Sequence, residues 1–398
     1  MRTTDLTQAA QVAAPESPAA AAERLALVAA DLAPRAERER RLSGELVAEL
    51  ATAGLFRLCV PARVGGLEAP PTTLIDCVQA LARGDGAAGW CVAIGATSGL
   101  LLGYLPEAAA LELFTTPETV LGGVFAPRGH AVPTGDAFRV NGRWPFASGC
   151  QHCDWLMGGC LVPERPGEIR TLAGGSPDVR LMLAPAHEVQ IHDTWHVSGL
   201  RGTGSNDIEF TELLIPGARS ASVFSDPPVQ TGPLYLFPLF GLLALAIAGV
   251  SLGVARGALD EFVQLAETKT PTGGRRRLAE RSTVGAEVAR AEAGVRAADA
   301  LLREAAQRAW DTALDRGEVP VDERLALRLS ASHATETAAD VVQTAYRLAG
   351  ASAIYESSPL QRRFRDANVA TQHMLVAPAT WELSGRLLLG LETDVTQL

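Results

Sequence analysis

Phe138-Arg139-Val140-Asn141-Gly142-Arg143-Trp144-Pro145-Phe146-Ala147-Ser148-Gly149 decides the architecture. It reads as a strand, a turn and a strand end, because aromatic and β-branched residues flank Asn141-Gly142, a dipeptide that favours a tight hairpin. Around it, residues 119–225 are rich in Gly and Pro. They carry further strand-like runs at Trp155-Leu156-Met157, Arg180-Leu181-Met182-Leu183 and Ile208-Glu209-Phe210. A small β domain is expected there.

On either side the texture is helical. Residues 1–20, Ala-rich with Pro15 and Pro18, read as a disordered lead-in, and residues 21–118 as an N-terminal helical domain. Ser43 suits the N-cap of a helix ending at Gly54, Thr72 or Thr73 that of one ending near Gly84, and Pro106 the first turn of a short helix through Phe114. Residues 226–398 read as a C-terminal bundle. Val284, Val288, Ala291, Val295, Ala298 and Leu302 recur at spacings of four and three, so one apolar stripe runs along a long helix over residues 278–312. A second helix spans Val321 to Ala349 and stops at Gly350. A third is expected from Arg363 to Leu389, broken at Pro378. Leu234 to Ala255 is apolar over about 22 residues, long enough to span a bilayer. Its several Gly and Ala residues and the ordinary flanking sequence favour a buried bundle helix.

Composition narrows the function. A net charge of −10 argues against a nucleic-acid surface, which needs clustered Lys and Arg. Lys269 is the one lysine, so nearly every cation is an arginine. The six cysteines lack regular spacing and read as free, buried thiols of a reducing compartment, the cytoplasm, with no signal peptide ahead of them. Phosphate-binding, dinucleotide-binding and serine-hydrolase signatures are absent; Gly199-Leu200-Arg201-Gly202-Thr203-Gly204 has neither the spacing nor the βαβ setting of the second. Cys150-Gln151-His152-Cys153 and the pair His192 and His196 offer metal-ligand types. There is no second C-x-x-C, and two strand residues four apart stand about 13 Å from each other, so no metal is expected.

Helices, then a β domain, then long helices is an uncommon order, and here the chain resembles the acyl-CoA dehydrogenase superfamily over residues 25–395. The expected fold class is therefore α+β, mostly α: an N-terminal helical domain, a central β domain and a C-terminal four-helix bundle. In that family an Asn-Gly pair is followed by an aromatic four residues after the Gly and a Thr or Ser six after it. The aromatic lies against the flavin and the hydroxyl bonds flavin N5; those positions are Phe146 and Ser148. Trp195-His196-Val197-Ser198-Gly199-Leu200-Arg201-Gly202-Thr203-Gly204-Ser205-Asn206-Asp207 is similar to a Gly-Leu-Arg turn that often takes a G-T-G-S form in the family's oxygenases. Arg365-Asp366-Ala367 then fixes the alignment of a third block. Where the dehydrogenases place Tyr-Glu-Gly, with Glu as the base, this chain has His373 and Met374. A thioether is not a base, Glu356 lies on the wrong side of the block, and a His here is typical of the flavin-dependent hydroxylases.

The resemblance implies a two-component flavin-dependent monooxygenase. Reduced FAD or FMN, supplied by a separate reductase, would bind between the β domain and the bundle, and O₂ would give a C4a-hydroperoxide that hydroxylates an aromatic or indole-like ring. His373 and Ser148 are the expected catalytic residues. Phe125, Trp144, Phe146, Arg201, Thr203, Ser205 and Arg275 are expected around the flavin, and Trp90, Ser98 and Met374 around the substrate. His373 would exchange protons near neutral pH. Phenol hydroxylases of the family carry a second His shortly after the Gly-Trp; here Thr97 and Ser98 occupy that region, which points to a heteroaromatic ring. A homotetramer is implied. The alternatives are an acyl-CoA dehydrogenase or desaturase, a nitrogen-oxidising enzyme acting on an amino sugar, and a scaffold that has lost its flavin.

Overall fold

A computed structural model describes residues 16–165, 167–172 and 175–398. Among these residues five helices come first: α1 (Pro18–Glu39), α2 (Gly44–Thr52), α3 (Pro71–Gly84), α4 (Gly86–Ser98) and α5 (Glu107–Leu113). Their starts follow local chemistry. Ser17 and Ser43 accept amides in the first turns of α1 and α2, and Asp85 does so for α4. Residues 1–15 of the expected lead-in lie outside the described residues. Its last three residues are already helix, because Ser17 caps and Pro18 suits the first position. For α3 the cap is Pro70, with Pro71 next, and neither Thr72 nor Thr73.

Among the described residues nine strands follow: β1 (Leu121–Thr134), β2 (Ala137–Ala147), β3 (Trp155–Leu161), β4 (Pro163–Arg165), β5 (Glu168–Ile169), β6 (Val179–Pro185), β7 (Gln190–His192), β8 (Asn206–Pro216) and β9 (Ser220–Ala221). Seven form one sheet in the order β7-β8-β2-β1-β3-β6-β9, with β4 and β5 apart. Among the described residues only β1 and β3 pair in parallel. One face covers a core around Trp144 and Phe210; the other packs Leu121, Met157 and Leu181 on Leu101, Leu102 and Phe114.

Asn141-Gly142 is not the hairpin turn. The turn between β1 and β2 falls at Gly135-Asp136. Asn141 lies inside β2 at a register shift against β8, accepting the amide of Glu212 at 2.8 Å and donating to its carboxylate. Glu212 sits at φ 53°, a bulge conformation, so the Asn side chain mends a ladder where a turn was expected.

The bundle comprises α6 (Leu239–Thr268), α7 (Ser282–Arg316), α8 (Val321–Ala349) and the pair α9 (Pro359–Ala370) and α10 (Pro378–Leu388). The stripe from Val284 to Leu302 is buried along α7, apart from the half-buried Val288. The apolar α6 is long enough to cross a membrane, but 89% of its apolar window is buried within the protein. Its glycines let helices meet. A Cβ at Gly253 would stand 2.3 Å from the carbonyl of Gln79 on α3, and one at Gly257 would stand 2.4 Å from the Arg363 guanidinium. That guanidinium, reaching from α9, donates to the last carbonyls of α3 and pairs with Glu261 at 2.7 Å. The last helix therefore does not run on to a break at Pro378. It stops at Ala370, residues 371–377 form a turn, and Pro378 opens α10. One continuous core joins the N-terminal helices to the bundle.

Candidate functional site

A cavity of about 500 Å³ opens where the ends of β1 and β2 meet α4, the start of α6 and the turn after α9. Phe125 and Phe146 stand on the sheet side, Trp90 and Ser98 on α4, and His373 and Met374 on the turn. Phe240, Leu243 and Ile247 supply an aliphatic and aromatic wall from α6. Among the described residues that line it, none is Asp or Glu, and Arg128 is the one that carries a full charge.

Phe146 is held at φ 67°, an unusual conformation for an aromatic residue, and the residue is 69% exposed. It meets Trp195 edge-on at 6.1 Å. An uncovered phenyl at the mouth of an apolar slot suits a flat ring lying against it. Two residues on, Ser148 is buried at the head of a hydroxyl series. Its Oγ accepts Trp90 Nε1–H at 3.1 Å and lies 2.8 Å from Ser205 Oγ. Ser205 Oγ lies 2.6 Å from Thr203 Oγ1, which donates to the Leu200 carbonyl at 2.8 Å.

The Gly199–Ser205 loop that carries these hydroxyls is clamped by α9. Arg365 donates to the Ser198 carbonyl, and Asp366 accepts the Leu200 amide at 2.5 Å. A Cβ on Gly199 would strike the Arg365 carbonyl at 2.4 Å, so only glycine fits that crossing. Asp366 and Asp85 are both buried, and burial holds both carboxyls above their usual range; Asp366 reaches about 7, with the Asp85 charge adding to the rise. The Arg-Asp-Ala motif thus positions two parts of the site at once: the loop that it grips and the turn that follows it.

In that turn His373 meets Trp90 edge-on at 5.6 Å. Its Nδ1 accepts the Leu375 amide at 3.4 Å, which leaves the proton on Nε2. Burial, with the Arg328 charge adding to it, lowers its pKa to about 4. That direction runs against the expected titration near neutral pH and favours a neutral imidazole with its N–H at Nε2. Beside it, Met374 is 61% exposed. Thr97 and Ser98 both bond back to α4, to the carbonyls of Ala93 and Ile94 at 2.7 and 2.8 Å, so neither hydroxyl proton is free to meet a phenolate.

The cavity brings together Phe125, Phe146, Ser148, Thr203, Ser205, Trp90, Ser98, His373 and Met374. Three expected flavin residues lie elsewhere. Trp144 points into the β-domain core, packs on Phe210 at 4.8 Å and donates to the Gly159 carbonyl at 2.7 Å. The register shift and positive φ between Trp144 and Phe146 send the two rings to opposite sides. Arg201 turns away to Glu37, 3.8 Å off, and Arg275 is exposed in the turn before α7. Sequence reasoning missed Arg128, Gln372 and Trp195, which also line the cavity. Trp195 opens the quoted Gly-Leu-Arg block and Gln372 immediately precedes His373; nothing local marks Arg128. Cys150 and Cys153 donate to the carbonyls of Gly204 and Gly149, His192 pairs with Glu209 and His196 with Asp193. Among the described residues no group of three or more His, Cys, Asp or Glu could share a metal ion.

Residues 17–110 match the acyl-CoA dehydrogenase N-terminal domain and residues 245–378 the acyl-CoA dehydrogenase C-terminal domain. Indole-3-acetate monooxygenase of Pseudomonas putida is 34% identical over 356 residues, 89% of each chain. The oxygenase component of an FADH2-dependent resorcinol hydroxylase of a Rhizobium species is 30% identical over 381 residues, 90% of this chain and 91% of that one. The structure of XiaF from a Streptomyces species, in complex with FADH2 and glycerol, superposes with a TM-score of 0.87 at 28% identity, covering 94% of this chain and 95% of the other.

Proposed function

The chain belongs to the acyl-CoA dehydrogenase family, within it to the flavin-dependent monooxygenases, and on that premise we propose that it hydroxylates an indole-like aromatic acid with reduced FAD delivered by a separate reductase. The carrying observation is the cavity itself: Ser148 and His373 face an apolar slot with no carboxylate base. A dehydrogenase needs a base for the substrate α-proton, and Met374 stands where the family keeps one. Hydroxyl-rich amino sugars find few polar partners on these walls.

Reduced flavin, when bound, supplies the two electrons with which O₂ is split, one oxygen atom entering the ring and the other leaving as water. The protein's part is to hold and enclose. Phe146 and Phe125 would flank the flavin ring, and Ser148 would meet its N5. Phe240, Leu243 and Ile247 would exclude water from the reacting face. His373 would offer Nε2–H as a hydrogen-bond donor. Arg128 would take the carboxylate of an arylacetic acid such as indole-3-acetate, the compound that names the Pseudomonas relative. We further propose that the enzyme works as a homotetramer in the cytoplasm.

The test is turnover under ¹⁸O₂ with reduced FAD and indole-3-acetate. One ¹⁸O in the product supports the proposal. Unlabelled product, or anaerobic bleaching of bound oxidised flavin by an acyl-CoA, sinks it.

A further inference from the structure

The turn that carries His373 rests on a buried cation of the bundle. Arg328 lies on the inward face of α8 and is 3% exposed. Its guanidinium donates to the Gln397 carbonyl at 2.9 Å and to Thr380 Oγ1 at 3.2 Å, and its Nε is buried without a partner. Neither contact is a carboxylate, and burial alone pulls its pKa down to about 10. A charge kept among neutral groups costs stability. The contacts lead on to the site. Guanidinium N–H groups only donate, so Thr380 Oγ1 receives from Arg328 and sends its own proton to the Leu375 carbonyl at 3.3 Å. The Leu375 amide donates to His373 Nδ1 at 3.4 Å. The amides of Val376 and Ala377 close on the His373 carbonyl at 2.9 and 3.0 Å. Leu375 is thus held at its carbonyl and at its amide.

We propose that Arg328 is a positioning residue for His373: acting through Thr380 and the backbone of Leu375, it holds the imidazole uncharged, as the Nε2–H tautomer that faces the cavity. The inference rests on the reading above that His373 serves the hydroxylation as a hydrogen-bond donor. Two effects combine. Thr380 pins the Leu375 carbonyl and so aims the Leu375 amide at Nδ1, which leaves the ring proton on Nε2. The positive charge of Arg328 opposes a second positive charge on the imidazole. Nothing across the cavity offsets it. The sheet and the Gly199–Ser205 loop present no acid, α4 and α6 present no titrating side chain, and β1 adds Arg128, a second cation. The end of α9 and the turn itself add Val369, Gln372 and Met374, none of them charged. A neutral imidazole donates a hydrogen bond and keeps its proton, whereas an imidazolium is an acid at the reacting face.

The experiment is an NMR titration of the full chain carrying ring ¹³C-histidine, without flavin, the His373 signals being identified by their loss in His373→Gln. Cε1 follows protonation and Cδ2 reports the tautomer. Wild-type His373 should stay neutral from about pH 5.5 to 8 and hold the Nε2–H form. Arg328→Met fills the space without the charge and should raise the His373 midpoint by about one pH unit. Arg328→Lys restores a cation and should bring the midpoint back. Thr380→Val keeps the charge, breaks the relay and should admit the Nδ1–H form, which Thr380→Ser should exclude. With reduced FAD and indole-3-acetate, Arg328→Met and Thr380→Val should lower the product formed per reduced flavin consumed about fivefold, the weight of one hydrogen bond, at an unchanged KM for reduced FAD. A midpoint that stays put in Arg328→Met overturns the role of the charge. So does one that rises equally in Arg328→Lys, since a loosened turn gives that result. An unaltered tautomer in Thr380→Val overturns the relay, and wild-type titration near about 6.5 overturns both. The expected spectra together with no oxygenated product from the wild type overturn the hydroxylase reading and leave the hold on His373 standing.

Discussion

Leu200 sits in the left-handed region at φ 51° with its amide donated to the buried carboxylate of Asp366, 166 residues further on. The strained loop of the sheet domain is thus held by a helix of the bundle, and the bond sets where Thr203 and Ser205 stand.

Removing that acceptor should be costly. Asp366→Ala is expected to lower stability by about 2–3 kcal/mol, because an amide is left buried and unpaired beside a strained residue. Asp366→Asn keeps an acceptor and should cost about 1 kcal/mol or less. The pH dependence has a definite sign. The folded pKa of Asp366 is raised from 3.8 to about 7, so the folded state holds the proton more tightly than the unfolded one. Its contribution is fully present below pH 3.8 and is lost as pH rises to about 7. The difference in melting temperature between wild type and Asp366→Asn, followed from pH 4 to 8, should move in the mutant's favour as pH rises.

His373 should leave no inflection in the rate profile at the ordinary imidazole value. Its pKa is lowered to about 4, so it is neutral throughout the working range. The steady-state product rate between pH 5.5 and 8, corrected for flavin supply, should carry no step near 6.5. His373→Ala should lower product at least about 100-fold, while reduced flavin is still consumed and peroxide released. A variant that hydroxylates normally removes the role assigned to this side chain.

Arg128 is expected to separate acids from neutral rings. Arg128→Gln should raise KM for indole-3-acetate about 10- to 100-fold, the cost of losing a charge-assisted bond. KM for indole, which has no carboxylate, should not move. If KM for reduced FAD rises instead, the cation serves a flavin phosphate.

Trp144 tests the corrected assignment. Trp144→Phe should destabilise the β domain by about 1–3 kcal/mol, because the Gly159 carbonyl loses its buried partner. Reduced-FAD affinity should stay within about twofold in folded protein. Melting and flavin titration of the same sample measure both.

Signals carried within one element were readable from sequence. Ser43 caps α2, the Val284–Leu302 stripe runs along α7, and α8 spans the residues expected of it. His373 and Met374 were found through a block of local motif. Signals that depend on a partner strand or helix were not. Asn141-Gly142 has the composition of a turn, but Glu212, 71 residues away, makes it a mended ladder. Trp144 and Phe146 share a face on an ideal strand, and the twist at Phe146 parts them. Arg201 stands in a motif beside the cavity yet is drawn off by Glu37, which also holds Arg365. Arg128 had no signal at all, because its meaning comes from being alone on an uncharged wall.

The core shared by the two helical regions has a kinetic side. Residues of α3 and α6 that touch, such as Val78 and Gly249, are separated along the chain by the entire sheet. Their docking closes a very long loop, and such contacts form late and slowly. The slot between sheet and bundle is complete only when that docking is made. Flavin added during refolding should act as a glue for the late step and leave the early ones untouched.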